Sequence, residues 1–523
     1  MIAVAGVASA LLLSAASAAA DTFTVTTGAN SGAGSLRQAI INAEGNANGP
    51  VVDQIQISFT GNIDLDSGLP SLTTPMTISG TGASNVNVRR DPAELPANQF
   101  RMFAVVPASG DTVTIQDLTI SGARATGFAG GGLIMGGLGN LIIDSVVFSD
   151  NRASSGSGVY YDRGFTSIRN STLSGNQSTV FSGGAIVGSN FGANVGVAEV
   201  VNSTITGNSA ADFGGGIYLG GTGRITVNSS TIQGNMADSD NTGGGSGGGT
   251  YNASLGTAPT FSFANTLYAG NTVGTSGDST TTQCGGGAYT SSGYNLRPVS
   301  EAGCTGFSDP TDLVNATPLI GTLGSNGGPT GTIPLLDGSP AIDAGNPATP
   351  GGVFPVCPAT DQRGLARGGG AGLCDIGAFE AQPPVLDAIG DRSVQAGQTL
   401  SFAVSATDPD PLDVLVFSAT GLPAGASFDP GTQAFSWTPG AADIGAHPGV
   451  QFSVTDGTFS DSESITVTVT AVPPPPTILP PPTILPTSPG FDLAAAIKKC
   501  KKKFPKGKKR KKCIRRAKQR AQG

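Results

Sequence analysis

The sequence predicts an all-β chain: a right-handed parallel β-helix solenoid, then an Ig-like β-sandwich and a basic C-terminal tail. Three observations carry this reading. A seven-residue phrase returns through the middle of the chain, a glycine run returns between its copies, and the idiom changes at Pro383.

The phrase occurs at 170–176, 202–208, 229–235 and 265–271, with weaker copies at 145–151 and 117–123. Its closing residues, Asn151, Asn176, Asn208, Asn235 and Asn271, are spaced by 25, 32, 27 and 36 residues. Within Ser203-Thr204-Ile205-Thr206 the isoleucine points one way and its neighbours the other, which is the period of a half-buried strand. Gly207-Asn208 then supplies a turn, since both residue types tolerate positive φ. A coil of two or three such strands cannot bury its apolar side alone. Stacked on its copies it closes a continuous core, and the asparagines fall at equivalent turns, where their amides bond from coil to coil. The second phrase, at Gly130–Leu133, Gly183–Ile186 and Gly214–Ile217, is a glycine corner entering an apolar strand. A disordered Gly/Ser tract would not keep aliphatics in register with Gly-Asn, and the spacing is short for propeller blades. The uneven spacing implies insertions at some turns, and those loops would carry specificity.

With 523 residues the chain suits two or three units. Its 79 glycines and 12% charged residues suit turn-dense β structure, and the 38% hydrophobic content favours a folded core. The net charge of −8 conceals a split: 15 Lys and Arg and no acid follow from Lys498, leaving 13 basic and 36 acidic residues, or −23, elsewhere. An apolar stretch from Ile2 to Leu13 running into small residues at 14–20 reads as a signal peptide over residues 1–20. Export to an extracellular or cell-surface location follows, with no spanning segment in the mature chain. In that compartment Cys284, Cys304, Cys357, Cys374, Cys500 and Cys513, in three close pairs, suggest disulfides whose connectivity sequence leaves open. His447 is the lone histidine and no CxxC occurs, so a structural zinc site is not expected.

The two repeating phrases resemble those of right-handed β-helix, pectin-lyase-like surface proteins, including the polymorphic outer-membrane-protein type. Gly34–Ile40, followed by Asp53–Ile57, resembles the entry segment of the CSLREA-type members, with Gly34 where their cysteine stands. It also reads as a helix capping the open end of the stack, with Leu36, Ala39 and Ile40 inward, since a bare coil exposes unpaired strand edges. Leu335–Gly345, Asp361–Gly364 and Cys374–Glu380 resemble the choice-of-anchor Q signature, which implies a bacterial surface protein and a terminating cap. Asp343, Asp361, Arg363, Asp375 and Glu380 suit an ion-paired cap or, as the alternative, oxygen ligands for Ca²⁺.

The expected organisation is an N-terminal cap and first coils at 21–110, repeats at 111–320, and a C-terminal cap at 321–382. An Ig- or cadherin-like sandwich at 383–472, a Pro-rich linker at 473–490 and a basic tail at 491–523 follow. The sandwich rests on alternating strands and on Ala406–Asp410, Phe435–Pro439 and Val454–Gly457, which resemble Ig- or cadherin-like modules of bacterial surface proteins. Asp408 and Asp410 read either as a turn or as part of a Ca²⁺ site at a domain junction, and no other cofactor is expected. In the tail, Lys498, Lys499, Lys501, Lys502, Lys503, Lys508, Lys509, Arg510, Lys511 and Lys512 surround Cys500 and Cys513. Two short helices, over 491–497 and from Ile514 onward, or a solvated charge run are the two readings. The tail suits electrostatic adhesion to an anionic surface polymer, with no specific nucleic-acid readout.

Two functions remain at this stage. One is an adhesin or structural binding scaffold with a polysaccharide or protein ligand. The other is a glycan-active β-helix enzyme, which would need paired carboxylates, or a base beside a carboxylate-bound Ca²⁺. Acids are sparse along the repeats; Asp212 with Asp238 or Asp240 is the nearest to a pair, and the sequence gives them no role.

Overall fold

The computed structural model describes residues 20–46, 51–95, 97–190, 195–254, 261–276, 282–298, 303–368, 372–474 and 490–522. Nearly all of residues 1–20, expected to be a signal peptide, and most of the expected Pro-rich linker lie outside the described residues.

The repeats fold as a parallel β-helix. Each full coil places one strand in each of four stacked sheets, as in Leu133–Met135, Asn140–Asp144, Val147–Ser149 and Arg152–Ser155. Two sheets have ten strands, one has seven and one has six, and every pairing within them is parallel. Register explains why the stack holds. In one ten-stranded sheet Ile55, Ile78, Ile115, Ile143, Ile168, Val200, Val227 and Phe263 sit directly above one another. All eight are fully buried, so one apolar column runs through eight coils. A one-residue slip in any strand would turn its apolar set outward.

The corners show why the phrase is spelled as it is. The residue that opens it (Asp117, Ser145, Asn170, Asn202, Ser229 or Asn265) has φ between 46° and 57°, where Asn and Asp are tolerated. Later in the phrase Gly175, Gly207, Gly234 and Gly270 have φ between 56° and 65°. The turn therefore falls on the glycine alone, and the closing asparagine serves another purpose. Asn176 Nδ2 and its backbone N–H both donate to Asn208 Oδ1 at 2.9 Å. The same double bond joins Asn151 to Asn176, Asn208 to Asn235, and Asn235 to Asn271. Gln283 Oε1 ends the ladder by accepting from Asn271 Nδ2 at 2.8 Å. A second ladder, absent from the sequence reading, runs through serines: the N–H of Val146, Ser171 and Ser203 donates to Ser171, Ser203 and Ser230 Oγ.

Both ends are closed. Helix α1 (Leu36–Glu44), capped by the Ser35 side chain, buries Leu36, Ala39, Ile40 and Ala43 against the first coil. At the other end Phe261, Phe263, Tyr268, Tyr289 and Phe307 fill the interior, and the Cys284–Cys304 disulfide pins the last turns. The segment expected to cap the stack does something different. Residues 330–368 and 372–380 lie as a strap along the solenoid's flank, over the outward side of the second ten-stranded sheet. Thr172 Oγ1 donates to Gly331, Thr204 Oγ1 to Gln362, and Ala378 N–H to Thr231 Oγ1. The reason is chemical: outward hydroxyls on this face need partners, and Leu267 and Leu296 beside them offer apolar cover to Ile376 and Phe379.

Beyond the strap an Ig-like domain packs a four-stranded against a three-stranded sheet around Phe435, Trp437 and Phe452. The basic tail is a helical hairpin, α2 (Leu493–Lys503) and α3 (Lys508–Arg520), joined by Cys500–Cys513. Both helices run further into the lysine-rich stretch than the sequence reading placed them, because Lys and Arg are good helix formers. Among the described residues no helix is long and apolar enough to cross a membrane.

Candidate functional site

The seven-stranded sheet faces outward without a strap. After each glycine corner the first strand residue points into the core and the second points out. The outward column reads Ala104, Ile134, Tyr160, Val187, Tyr218, Tyr251 and Gly285 in unbroken register. Tyr218 and Tyr251 stack with parallel rings at 5.9 Å, and Phe213 adds a tilted contact to Tyr251 at 4.4 Å. Phe181, 56% exposed, reaches the same groove from the preceding turn. The groove has a volume of about 450 Å³, and Ser154, Ser155, Ser182 and Ser189 bring hydroxyls into it. From Tyr160 to Tyr251 the column spans three coil spacings, about 14 Å.

One carboxylate, that of Asp212, lines this groove among the described residues. Burial raises it above the usual carboxylate range, and repulsion from Asp240 and Asp238 adds to the rise. Asp238 itself is fully buried, and its Oδ2 accepts from Ser276 Oγ at 2.6 Å. Burial pushes that carboxyl up, but bonds from Ser276, Gly243 and Gly245 outweigh it and hold the group low. Asp238 is thus built into the turn, and the groove presents one acid between aromatic rings. Hydrolysis of a glycosidic bond calls for two facing carboxylates.

The groove residues were legible only in part. The recurring glycine corner at Gly214–Ile217 runs on into Tyr218, and a period of two places the residue after the inward isoleucine outside. The column was still missed, because Tyr160 and Tyr251 follow corners spelled differently.

The other sequence-selected residues lie elsewhere. Asn151, Asn176, Asn208, Asn235 and Asn271 are buried in the ladder. The six cysteines form Cys284–Cys304, Cys357–Cys374 and Cys500–Cys513. Asp408 and Asp410 share a loop but part company. Asp410 Oδ1 accepts from Arg363 Nη1 at 2.5 Å and Oδ2 from the Gln382 N–H at 2.7 Å, so both oxygens are taken. Arg363, stacked 3.6 Å from the Phe379 ring centre, also holds Asp361, and Arg367 pairs with Glu380. In the hairpin Lys498, Lys499, Lys501, Lys502, Lys503, Lys508, Lys509, Lys511 and Lys512 are exposed, while Arg510 donates to the Pro505 carbonyl. None of these cations enters an ion pair among the described residues.

The architecture defines a class: a parallel β-helix joined to an Ig-like domain. Residues 383–470 match the family model described as "Putative Ig domain", and such a domain points to a surface or binding protein. No curated protein matches the chain.

Proposed function

We propose that this is an exported, surface-associated binding scaffold whose β-helix holds a polysaccharide along the tyrosine column. The observation that carries the reading is the uncovered column of Tyr160, Tyr218 and Tyr251, edged by Phe181, Phe213 and serine hydroxyls. Aromatic faces with nearby hydroxyls suit ligands that carry both C–H faces and O–H edges. The tyrosines stand two and then one coil spacing apart along one line, with Val187 between Tyr160 and Tyr218, which suits an extended polymer laid along the stack. The acidic groove, in a body carrying −23, favours a neutral or amino-sugar chain over a polyuronate. The hairpin, with its run of exposed cations, attaches the scaffold to an anionic surface polymer.

An observation also favours the enzyme as the second reading: Asp212 and Asp238 are pushed in opposite directions, the pattern of an acid and its counterpart. The burial and full bonding of Asp238 weigh against it. The test incubates the purified protein with neutral, amino-sugar and uronic-acid polysaccharides. Co-sedimentation reports binding; new reducing ends and unsaturated-uronide absorbance report cleavage. Retention of a neutral or amino-sugar polymer without product supports the scaffold, and product accumulating with turnover overturns it.

A further inference from the structure

Where the strap meets the Ig-like domain, carboxylates outnumber cations. Arg363 is occupied by Asp361 and Asp410. Beyond it, one carboxylate oxygen from each of Asp408, Asp413 and Asp456 lies within 4.8 Å of the other two. These acids come from two loops of the domain, one before Val416–Thr420 and one after Gly445–Thr455. Asp456 is only 6% exposed. Its Oδ1 accepts from the N–H groups of Thr458 and Phe459 at 2.6 Å, while Oδ2 is buried without a hydrogen-bond partner. Asp408 repeats the pattern: Oδ1 accepts from Asp410 N–H at 2.8 Å, and Oδ2 is buried and unpartnered. Two buried carboxylate oxygens without donors cost free energy that a cation would recover.

The strap contributes as well. Asp337 accepts from Thr458 Oγ1 at 3.5 Å, and it lines a cleft of about 300 Å³ together with Leu412, Asp413 and Asp456. Burial, with repulsion from Asp410, Asp408, Asp456 and Asp337, pushes Asp413 up to about 7, as expected of a cluster short of positive charge.

We propose that Asp408, Asp413 and Asp456 bind a Ca²⁺ ion that braces the Ig-like domain against the strap at Asp337. The donors are all hard oxygens, which selects Ca²⁺ over softer metals. Ca²⁺–oxygen distances of about 2.3–2.6 Å put ligands on opposite sides of the ion about 5 Å apart, close to the observed span. On this proposal Asp408 keeps the ligand role weighed for it in the sequence, Asp410 is held by Arg363 and the Gln382 N–H instead, and Asp413 and Asp456 complete the set.

The experiment uses the full mature chain, stripped with chelator and titrated with CaCl₂ by calorimetry, with melting followed in parallel. Wild type should bind one Ca²⁺ at this site, with a dissociation constant of about 10⁻⁴–10⁻³ M, the range of extracellular modules, and should melt higher when loaded. Asp456→Asn and Asp413→Asn should each weaken binding at least ten-fold. Asp413→Asn should also melt no lower than metal-free wild type, because it removes repulsion; that separates lost ligation from misfolding. No calcium-dependent heat or melting shift in wild type, or wild-type affinity in both variants, would overturn the site.

Discussion

On the face that carries Thr172, Thr204 and Thr231, every one of those hydroxyls meets the strap. On the face that carries Tyr160, Tyr218 and Tyr251, the rings of Tyr218 and Tyr251 meet each other and Phe213, while Tyr160 and Tyr218 border an open groove. Both faces come from the same coils, at outward positions of equivalent strands. The inward residues of the two faces are interchangeable aliphatics and serve the same core. What differs is the outward spelling: small β-branched hydroxyls that a second segment can bond, against large rings that pack sideways and leave an edge to solvent. A solenoid keeps its fold in the inward register and is free to write function on the outside.

This contrast can be broken at the covered face first. Arg363, a residue of the strap whose side chain is fully buried, holds Asp361 and Asp410 together. Arg363→Ala would strand two buried carboxylates, so chemical denaturation should show a loss of about 3–5 kcal/mol. Next comes the shared interior. Asn208→Ala deprives Asn176 N–H and Nδ2 of their acceptor and removes the bond to Leu173 O. About 2–4 kcal/mol should go, read in the same assay as a lower midpoint.

The open face should respond in the opposite way. Tyr218→Ala with Tyr251→Ala should leave the denaturation midpoint of the β-helix within about 1 kcal/mol of wild type, while polysaccharide affinity falls at least ten-fold, about 1.4 kcal/mol. If stability collapses instead, the column is structural and the comparison fails. Asp212→Asn sharpens the charge argument: weak polyuronate binding should rise a few-fold while neutral-glycan binding holds. For the hairpin, retention on an anionic polymer should decline steadily as salt rises from 0.05 to 0.5 M, as the screening length shrinks from more than 10 Å toward a few ångströms. Groove binding to a neutral glycan should not change over that range.

Much of this molecule was legible in its sequence. The recurrence of Asn176, Asn208, Asn235 and Asn271 marked stacked turns, and the alternation in Ser-Thr-Ile-Thr marked strands with one buried side. Legibility failed in two kinds of place. One was where a residue's role depended on its register neighbour, as for Ser171 and Ser203 in the second ladder or Tyr160 beneath Val187. The other was where a partner lay far along the chain. Gln362 bonds Thr172 across 190 residues, and Arg363 reaches Asp410 in another domain.

By itself, the sequence determined the coil: its strand period, its glycine corners, its aliphatic interior and the ladder at its turn. Those features are local and repeat, so a pattern of two and a phrase of seven suffice to specify them. Only the tertiary structure decided which outward face is covered, which acids face a common point between Asp408, Asp413 and Asp456, and which tyrosines share a groove. Those outcomes depend on segments that meet once, with no repeat to announce them, and on competition for partners such as Arg363, which takes Asp410 away from Asp408 and leaves Asp408 with the other two.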